Sequence, residues 1–224
     1  MRPGTSHEVR PVGFPPAEAV VFDCDGTLID TQPCVRAAVL TAFARRGRVC
    51  PPGLHDCLVG VSLQDMAREV AALLGESPGP LAAELHDGMV AAVPAHARLV
   101  PGARDLVRAT AGRLPVAIAS NSPRALLTAS LSKARLTGLV PITLSADDVM
   151  APKPAPDLYL AACAALRADP RGAVAVEDSP TGVRAARAAG LTVVGVGPRL
   201  TPDTVDVWSP TLEALTAGPV RRVR

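Results

Sequence analysis

The spacing of hydrophobic residues changes repeatedly along the chain, and each change marks a predicted element. Short apolar runs that are typical of strands buried on both faces occur at 19–22, 116–119, 142–145, 173–176 and 192–196. Between these runs apolar residues recur every three or four positions, which predicts helices at 103–113, 157–166 and 180–189, with another starting at 122–123. The alternation of strand and helix predicts an α/β fold with a doubly wound parallel sheet.

One long segment near the start of the chain has helical spacing throughout. We therefore predict a small helical-bundle domain at 32–97, inserted into a core domain that is made of 18–31 and 98–218. The proline-rich residues 1–17 are expected to form a loose N-terminal leader. Residues 219–224 are expected to form a solvated basic tail.

Three helices are predicted within the inserted segment. Ser62 and Asp65 have the spacing of a capping box at the start of the second helix. The proline- and glycine-rich residues 77–80 predict a break before the third helix, which should end near Pro94.

Composition and charge narrow the class of protein. The 224 residues are 48% hydrophobic and 20% charged, which is typical of a globular domain with a modest insertion. A net charge of +2 gives no electrostatic basis for binding nucleic acid, and no apolar run is long enough to predict a membrane span. The five cysteines form no CxxC pair, so we expect reduced thiols and a cytoplasmic location.

Two acidic residues follow the first buried strand. Asp23 and Asp25 are two positions apart, so both carboxylates can face the same side of an extended chain. Gly26 permits the sharp turn that ends the strand. Two buried carboxylates at one strand end are costly without a compensating cation or proton, so this stretch predicts a functional site.

Polar residues also follow other predicted strands. Ser120 follows the strand at 116–119, and Glu177 and Asp178 follow the strand at 173–176. In parallel α/β sheets, ligands bind outside the carboxyl ends of the strands. We therefore expect these side chains to meet the two aspartates at one edge of the sheet.

The stretch Asp23-Cys24-Asp25-Gly26-Thr27 resembles the DxDGT motif of the haloacid dehalogenase-like (HAD) hydrolases in their phosphatase form. Ser120, Lys153 and the pair Glu177-Asp178 match the other three motifs of that family in order. The resemblance covers roughly residues 20–197. It implies a Rossmann-like core with a helical cap, and hydrolysis of a small phosphomonoester such as a sugar phosphate.

The resemblance also implies catalytic roles. Asp23 would attack phosphorus and form an aspartyl-phosphate, and Asp25 would act first as general acid and then as general base. Ser120 and Lys153 would hold the transferring phosphoryl group, with Gly26 and Asn121 as further phosphate-binding positions.

The resemblance implies Mg²⁺ as the cofactor. Its ligands would be the side chains of Asp23 and Asp178 and the carbonyl oxygen of Asp25, all of which are oxygen ligands that Mg²⁺ accepts. Glu177 would be either an additional ligand or an outer residue of the metal site. The remaining partner is the small phosphorylated substrate, and the chain is expected to be a monomer or a homodimer.

Three alternatives were considered. A β-phosphoglucomutase-like phosphomutase shares the motifs, but it needs a His where this chain has Val35 and an Arg where this chain has Leu63. Arg68 or Arg98 would have to hold the second phosphate instead. A haloalkanoate dehalogenase lacks the second aspartate, so Asp25 disfavours it. A non-catalytic binding protein would not need the full set of motif residues.

Overall fold

The computed structural model describes residues 12–58 and 60–216, without the side chain of Asp56. Its centre is a six-stranded sheet with the order β6-β5-β2-β7-β8-β9, in which every neighbouring pair is parallel. The strands are β2 (Ala19–Phe22), β5 (Val116–Ala119), β6 (Ile142–Leu144), β7 (Ala173–Glu177), β8 (Thr192–Val196) and β9 (Val207–Ser209). The doubly wound parallel α/β fold is confirmed.

Helices cover both faces of this sheet because the central strands are apolar on both sides. Val20 and Phe22 of β2 belong to one hydrophobic cluster, whereas Ala19 and Val21 belong to another. Helices α5 (Ala103–Ala111) and α6 (Arg124–Lys133) pack in the first cluster, and α7 (Asp157–Leu166) and α8 (Pro180–Ala189) in the second. The sequence pattern predicted α5, α7 and α8 to within a few residues, and it predicted the start of α6.

The segment predicted as an inserted helical domain contains four helices, which we call the cap. They are α1 (Gln32–Arg45), α2 (Leu54–Cys57), α3 (Leu63–Leu74) and α4 (Pro78–His96). Helix α4 packs against α1 and α3. Arg46 follows α1 and donates to Glu76 and Glu84, so it ties the ends of these helices together. No helix in the described part of the chain is long and apolar enough to cross a membrane.

The helices of the cap differ from the prediction in two respects: α2 was not predicted, and both ends of α4 lie outside the predicted bounds. The predicted break at 77–80 is the first turn of α4, where prolines are tolerated because the first N–H groups have no partner within the helix. The same helix continues past Pro94 to His96. By contrast, Ser62 caps α3 as expected and accepts a hydrogen bond from the N–H of Asp65.

Four short strands were not predicted, in addition to β9. Strand β3 (Ile29–Asp30) pairs antiparallel with β4 (Arg98–Leu99), and this pair lies where the chain enters and leaves the cap. Strand β1 (Val12–Gly13) pairs with β10 (Leu215–Thr216). Two-residue strands carry too little hydrophobic alternation to be recognised from sequence.

The prediction of a loose leader is wrong for its last residues. Strand β1 joins β10, and Phe14 and Ala17 are buried in the larger hydrophobic cluster. The prolines around them hid this packing, because they resemble the composition of a linker. Residues 1–11 and the predicted basic tail at 219–224 lie outside the described residues.

We expect the end of the leader to contribute to stability. Replacing Phe14, which is 4% exposed, by Ala should lower the free energy of unfolding by about 3 kcal/mol because it leaves a cavity in the core. Urea unfolding measures this difference. The control Val49→Ala removes a side chain that is 90% exposed and should change stability by less than about 0.5 kcal/mol. Equal effects of the two substitutions would show that the leader is not packed.

Candidate active site

The predicted site residues converge at the carboxyl edge of the sheet. Asp23 follows β2, Ser120 follows β5, and Glu177 and Asp178 lie at the end of β7. These three strands are neighbours, and they are parallel, so their ends face the same edge. Lys153 reaches the group from the loop between β6 and α7.

The ammonium group of Lys153 is the centre of the hydrogen bonding. Its Nζ atom donates to Oδ1 of Asp23 at 2.7 Å, to Oε1 of Glu177 at 2.7 Å and to the carbonyl oxygen of Ala119 at 2.9 Å. The ammonium also lies 4.8 Å from the ring centre of Tyr159. Burial alone would lower the pKa of Lys153, but the carboxylates of Asp23 and Glu177 outweigh it and raise the pKa well above its usual value.

The carboxyl group of Asp23 is buried, and only one of its two oxygens accepts a hydrogen bond from a described residue. Its Oδ1 atom accepts from Lys153, whereas Oδ2 has no hydrogen-bond partner within the described residues. Burial raises the pKa of Asp23, and the negative charges of Glu177 and Asp178 raise it further, while Lys153 opposes them. A second cation beside Oδ2 would therefore favour the ionised form that a nucleophile requires.

Asp25 is oriented by two hydroxyl groups. Thr31 donates to Oδ1 at 2.8 Å and Ser120 donates to Oδ2 at 2.5 Å. The Ser120 hydroxyl also accepts from the N–H of Ser122. Ser120 therefore lies in the site as predicted, with its hydroxyl directed to Asp25.

Both oxygens of Glu177 are occupied by hydrogen bonds. Oε1 accepts from Lys153 and from the hydroxyl of Tyr159 at 2.7 Å. Oε2 accepts from the N–H of Asp178 and from the N–H and hydroxyl of Ser179. The carboxylate is fully buried, and this bonding favours the outer of the two roles considered for Glu177, that of positioning Lys153.

Asp178 has contacts with two further residues. Thr27 donates to Oδ1 at 3.2 Å, and the guanidinium of Arg199 forms an ion pair with Oδ2. Burial raises the pKa of Asp178 to about 6, with Glu177 adding to the shift and Arg199 opposing it.

Gly26 and Asn121, which were predicted as phosphate-binding positions, make contacts within the protein. The N–H of Gly26 donates to the carbonyl oxygen of Ile29, and its φ of +92° together with the closeness of Asp178 leaves no space for a side chain. The amide of Asn121 donates to the carbonyl oxygen of Lys153 and accepts from its N–H. Gly26 therefore makes room for Asp178, and Asn121 holds the backbone of the Lys153 loop.

The acidic residues are suited to a divalent cation. Oxygen atoms of Asp23, Glu177 and Asp178 lie within 4.8 Å of one another. Hard cations prefer such oxygen ligands, and Oδ2 of Asp23 is the buried atom that still needs a partner. Glu177 is fully buried and accepts five hydrogen bonds, whereas the oxygens of Asp178 have Thr27 and Arg199 as partners. Asp23 and Asp178 are therefore the side chains that would hold the metal.

A cavity of about 90 Å³ lies between the core and the cap. Asp23, Asp25 and Lys153 line it on the core side, and Val35 and Leu63 are among the cap residues that line it. The two cap positions that distinguish this chain from the mutases therefore face the site.

Sequence reasoning missed two residues of the site. Tyr159 is the single tyrosine of the chain and lies on the buried face of α7, where a phenol needs a partner for its hydroxyl. Arg199 follows β8, and the rule about carboxyl strand ends could have identified it. Asp147 and Asp148, which precede Lys153 in the chain, bond to Arg124.

Comparison with known proteins establishes the family. Residues 17–190 match the haloacid dehalogenase-like hydrolase family. The chain therefore belongs to this family, as the four motifs predicted.

Among curated proteins, the chain is 33% identical over 183 residues to validoxylamine A 7'-phosphate phosphatase of Streptomyces hygroscopicus subsp. limoneus, covering 80% of this chain and 85% of that protein. It is 30% identical to fructose-1-phosphate phosphatase YqaB of Escherichia coli, over 79% of this chain and 95% of the relative. The family and these relatives together confirm the predicted enzyme class, a hydrolase of phosphoric monoesters.

Solved structures agree on the fold. CbbY from Rhodobacter sphaeroides in complex with phosphate superposes with a TM-score of 0.74 at 26% identity, covering 88% of this chain and 95% of that one. A putative β-phosphoglucomutase from Thermotoga maritima gives a TM-score of 0.73 at 26% identity with the same coverage of both chains.

Glycine at position 182 is expected to be essential for the position of Glu177. A Cβ atom there would overlap the Glu177 carboxylate, so Gly182→Ala should displace it and lower the free energy of unfolding by about 1–3 kcal/mol. Hydrolysis should also slow, because Lys153 loses its second carboxylate. The control Gly79→Ala adds a methyl group where nothing lies within 4 Å and should preserve both properties. Thermal unfolding and phosphate release measure them, and a Gly182→Ala variant that matches the control would contradict the assignment.

Proposed function

We propose that this protein is a Mg²⁺-dependent phosphatase that hydrolyses a small phosphomonoester, such as a sugar phosphate, through an aspartyl-phosphate on Asp23. The observation that carries the proposal is the buried Asp23 carboxylate, which Lys153 holds by one oxygen while the other has no partner among the described residues. A carboxylate fixed in this way beside a cavity is suited to attack phosphorus in line.

In the first step the phosphoryl group is transferred to Asp23, and Asp25 and Lys153 assist. A carboxylate oxygen of Asp23 forms the bond to phosphorus while the bond from phosphorus to the ester oxygen breaks. Asp25 donates a proton to the departing oxygen, and its contacts with Thr31 and Ser120 hold its carboxyl group beside the cavity. Lys153 offsets the charge on the phosphoryl oxygens.

In the second step Asp25 accepts a proton from a water molecule, which attacks the phosphorus of the aspartyl-phosphate and releases Asp23. A Mg²⁺ ion held by Asp23, Asp178 and the carbonyl oxygen of Asp25 would supply positive charge that reduces repulsion between the carboxylates and the phosphate. The cap covers the site and limits the entry of bulk water. We also propose a cytoplasmic location, because the five cysteines are free thiols.

Hydrolysis is favoured over a phosphomutase reaction by the cap residues that face the cavity. Val35 and Leu63 are apolar and line its wall. Arg68 pairs with Asp65, and Arg98 donates to the carbonyl oxygen of Ala97; neither lines the cavity. A second phosphate on the substrate would therefore lack the cationic partner that a mutase must provide.

Substitution of the proposed nucleophile tests the covalent route. Asp23→Asn should keep the fold yet lower turnover by several orders of magnitude, because an amide cannot attack phosphorus. Phosphate release from a chromogenic ester measures turnover, and circular dichroism reports the fold. The control Asp147→Asn changes an exposed aspartate and should keep full activity. Turnover near that of the unsubstituted protein in Asp23→Asn would rule out this mechanism.

We expect activity to depend on Mg²⁺ and Asp178 to be one of the Mg²⁺ ligands. Chelation should abolish activity and Mg²⁺ should restore it, whereas Asp178→Ala should raise the Mg²⁺ concentration that is needed because one oxygen ligand is lost. Calorimetric titration with Mg²⁺ should show the same weakening without substrate. Asp87→Ala, at an exposed cap position, serves as the control. Full activity after exhaustive chelation would contradict the proposed cofactor.

A further inference from the structure

The two walls of the active-site cavity differ sharply in polarity. The core side carries the charged and hydrogen-bonding residues, including Asp23, Asp25, Lys153 and Arg199. Among the residues that the structure describes, the cap side chains on the wall are apolar apart from Gln32, namely Val35, Leu58, Val61, Leu63, Met66 and Met89. The phosphoryl group must lie at the core side beside Asp23, so the rest of the substrate faces the apolar cap.

Positive charge is available only at the phosphoryl end of the cavity, within the part of the chain that the structure describes. Lys153 and Arg199 are the cationic residues on the wall, and both are paired with core carboxylates, Asp23 and Asp178. Neither belongs to the cap, and no described cap residue on the wall is a cation.

Three arginines of the cap form ion pairs away from the cavity. Arg45 pairs with Glu84, and Arg46 pairs with Glu76 and Glu84. Arg68 pairs with Asp65 on the same helix. None of these arginines lines the cavity wall. An anionic leaving group would therefore lose its hydration at the cap without gaining an ionic partner, which is unfavourable.

We infer that the substrate carries a single phosphate on an uncharged leaving group, and that this group presents an apolar face to Leu63 and its neighbours in the cap. The inference rests on the proposed phosphatase function and specifies the substrate class of the same site. Gln32 provides one polar side chain on the cap wall, which suits one hydroxyl group of such a substrate. Carbon atoms of the leaving group gain contact with the apolar side chains, whereas a carboxylate or second phosphate does not.

Three alkyl phosphates of similar size test this inference. Propyl phosphate ends in a methyl group, 2-hydroxyethyl phosphate in a hydroxyl, and phosphoglycolate in a carboxylate. With Mg²⁺ present, kcat/KM should be similar for the first two esters and about 100-fold lower for phosphoglycolate, the scale of discrimination that a binding pocket provides. Equal kcat/KM for phosphoglycolate and propyl phosphate would overturn the inference.

p-Nitrophenyl phosphate separates this inference from the proposed function. Suppose that p-nitrophenyl phosphate is hydrolysed and that kcat/KM is equal for the neutral and the anionic alkyl esters. That result would support the phosphatase function and contradict the inferred substrate class. No hydrolysis of any of the four esters would contradict the phosphatase function itself, and with it the inference.

A cationic substitution in the cap should weaken the preference for neutral esters. Leu63→Arg places a guanidinium on the cavity wall and should raise kcat/KM for phosphoglycolate relative to propyl phosphate by at least about 10-fold. Leu73→Arg is the matched control, because Leu73 lies on the same helix, is 38% exposed and does not line the cavity. It should leave the ratio unchanged.

A second variant allows the same test if Leu63→Arg does not fold. Val61 also lines the cavity, lies in the loop before α3 and is 38% exposed, so Val61→Arg is expected to be accommodated. Thermal unfolding identifies which of the two variants is folded. A folded variant whose ester ratio equals that of Leu73→Arg would contradict the role assigned to the cap wall.

Discussion

The buried ammonium of Lys153 between Asp23 and Glu177 is the interaction on which the site depends. All three groups are removed from water, and each would be costly to bury alone. Their hydrogen bonds offset that cost and fix the direction of the Asp23 carboxylate. The proposed nucleophile is therefore held in place by the fold before substrate arrives, which is the arrangement that favours catalysis.

Several structural features of the core maintain this arrangement. Asn121 fixes the backbone of Lys153 from the end of β5, and Tyr159 reaches Glu177 from α7. Gly182 lets the first turn of α8 approach the Glu177 carboxylate. Residues far apart in sequence thus act together because parallel strands end at one edge of the sheet.

The cap forms the other wall of the active-site cavity. Its described side chains on the cavity wall are mainly apolar, and no described cation of the cap lines that wall. In the function proposed above, the core carries out the chemistry at phosphorus and the cap selects the group to which the phosphate is attached. This division explains how a hydrolase core shared across a family can serve different phosphate esters.

The sequence predicted most of the core and the charged residues of the site, because strand periodicity and the motif around Asp23 are local signals. It did not predict that Glu177 would be saturated by hydrogen bonds, or that Asn121 would hold the Lys153 backbone, since both depend on contacts between distant segments. The packing of Phe14 was hidden by the prolines around it, which resemble the composition of a linker. The contact between Tyr159 and Glu177 becomes visible only when the topology is known.

Trapping the covalent intermediate tests the central claim most directly. The Asp25→Asn variant lacks the base for the second step, and p-nitrophenyl phosphate has a leaving group that departs without a proton. Acid quenching in the first turnovers, followed by peptide mass spectrometry, should find a mass increase of one phosphoryl group on Asp23. The Asp23→Asn/Asp25→Asn double variant should show none. A phosphoryl group on another residue, or p-nitrophenol release by Asp25→Asn without any labelled peptide, would contradict the account.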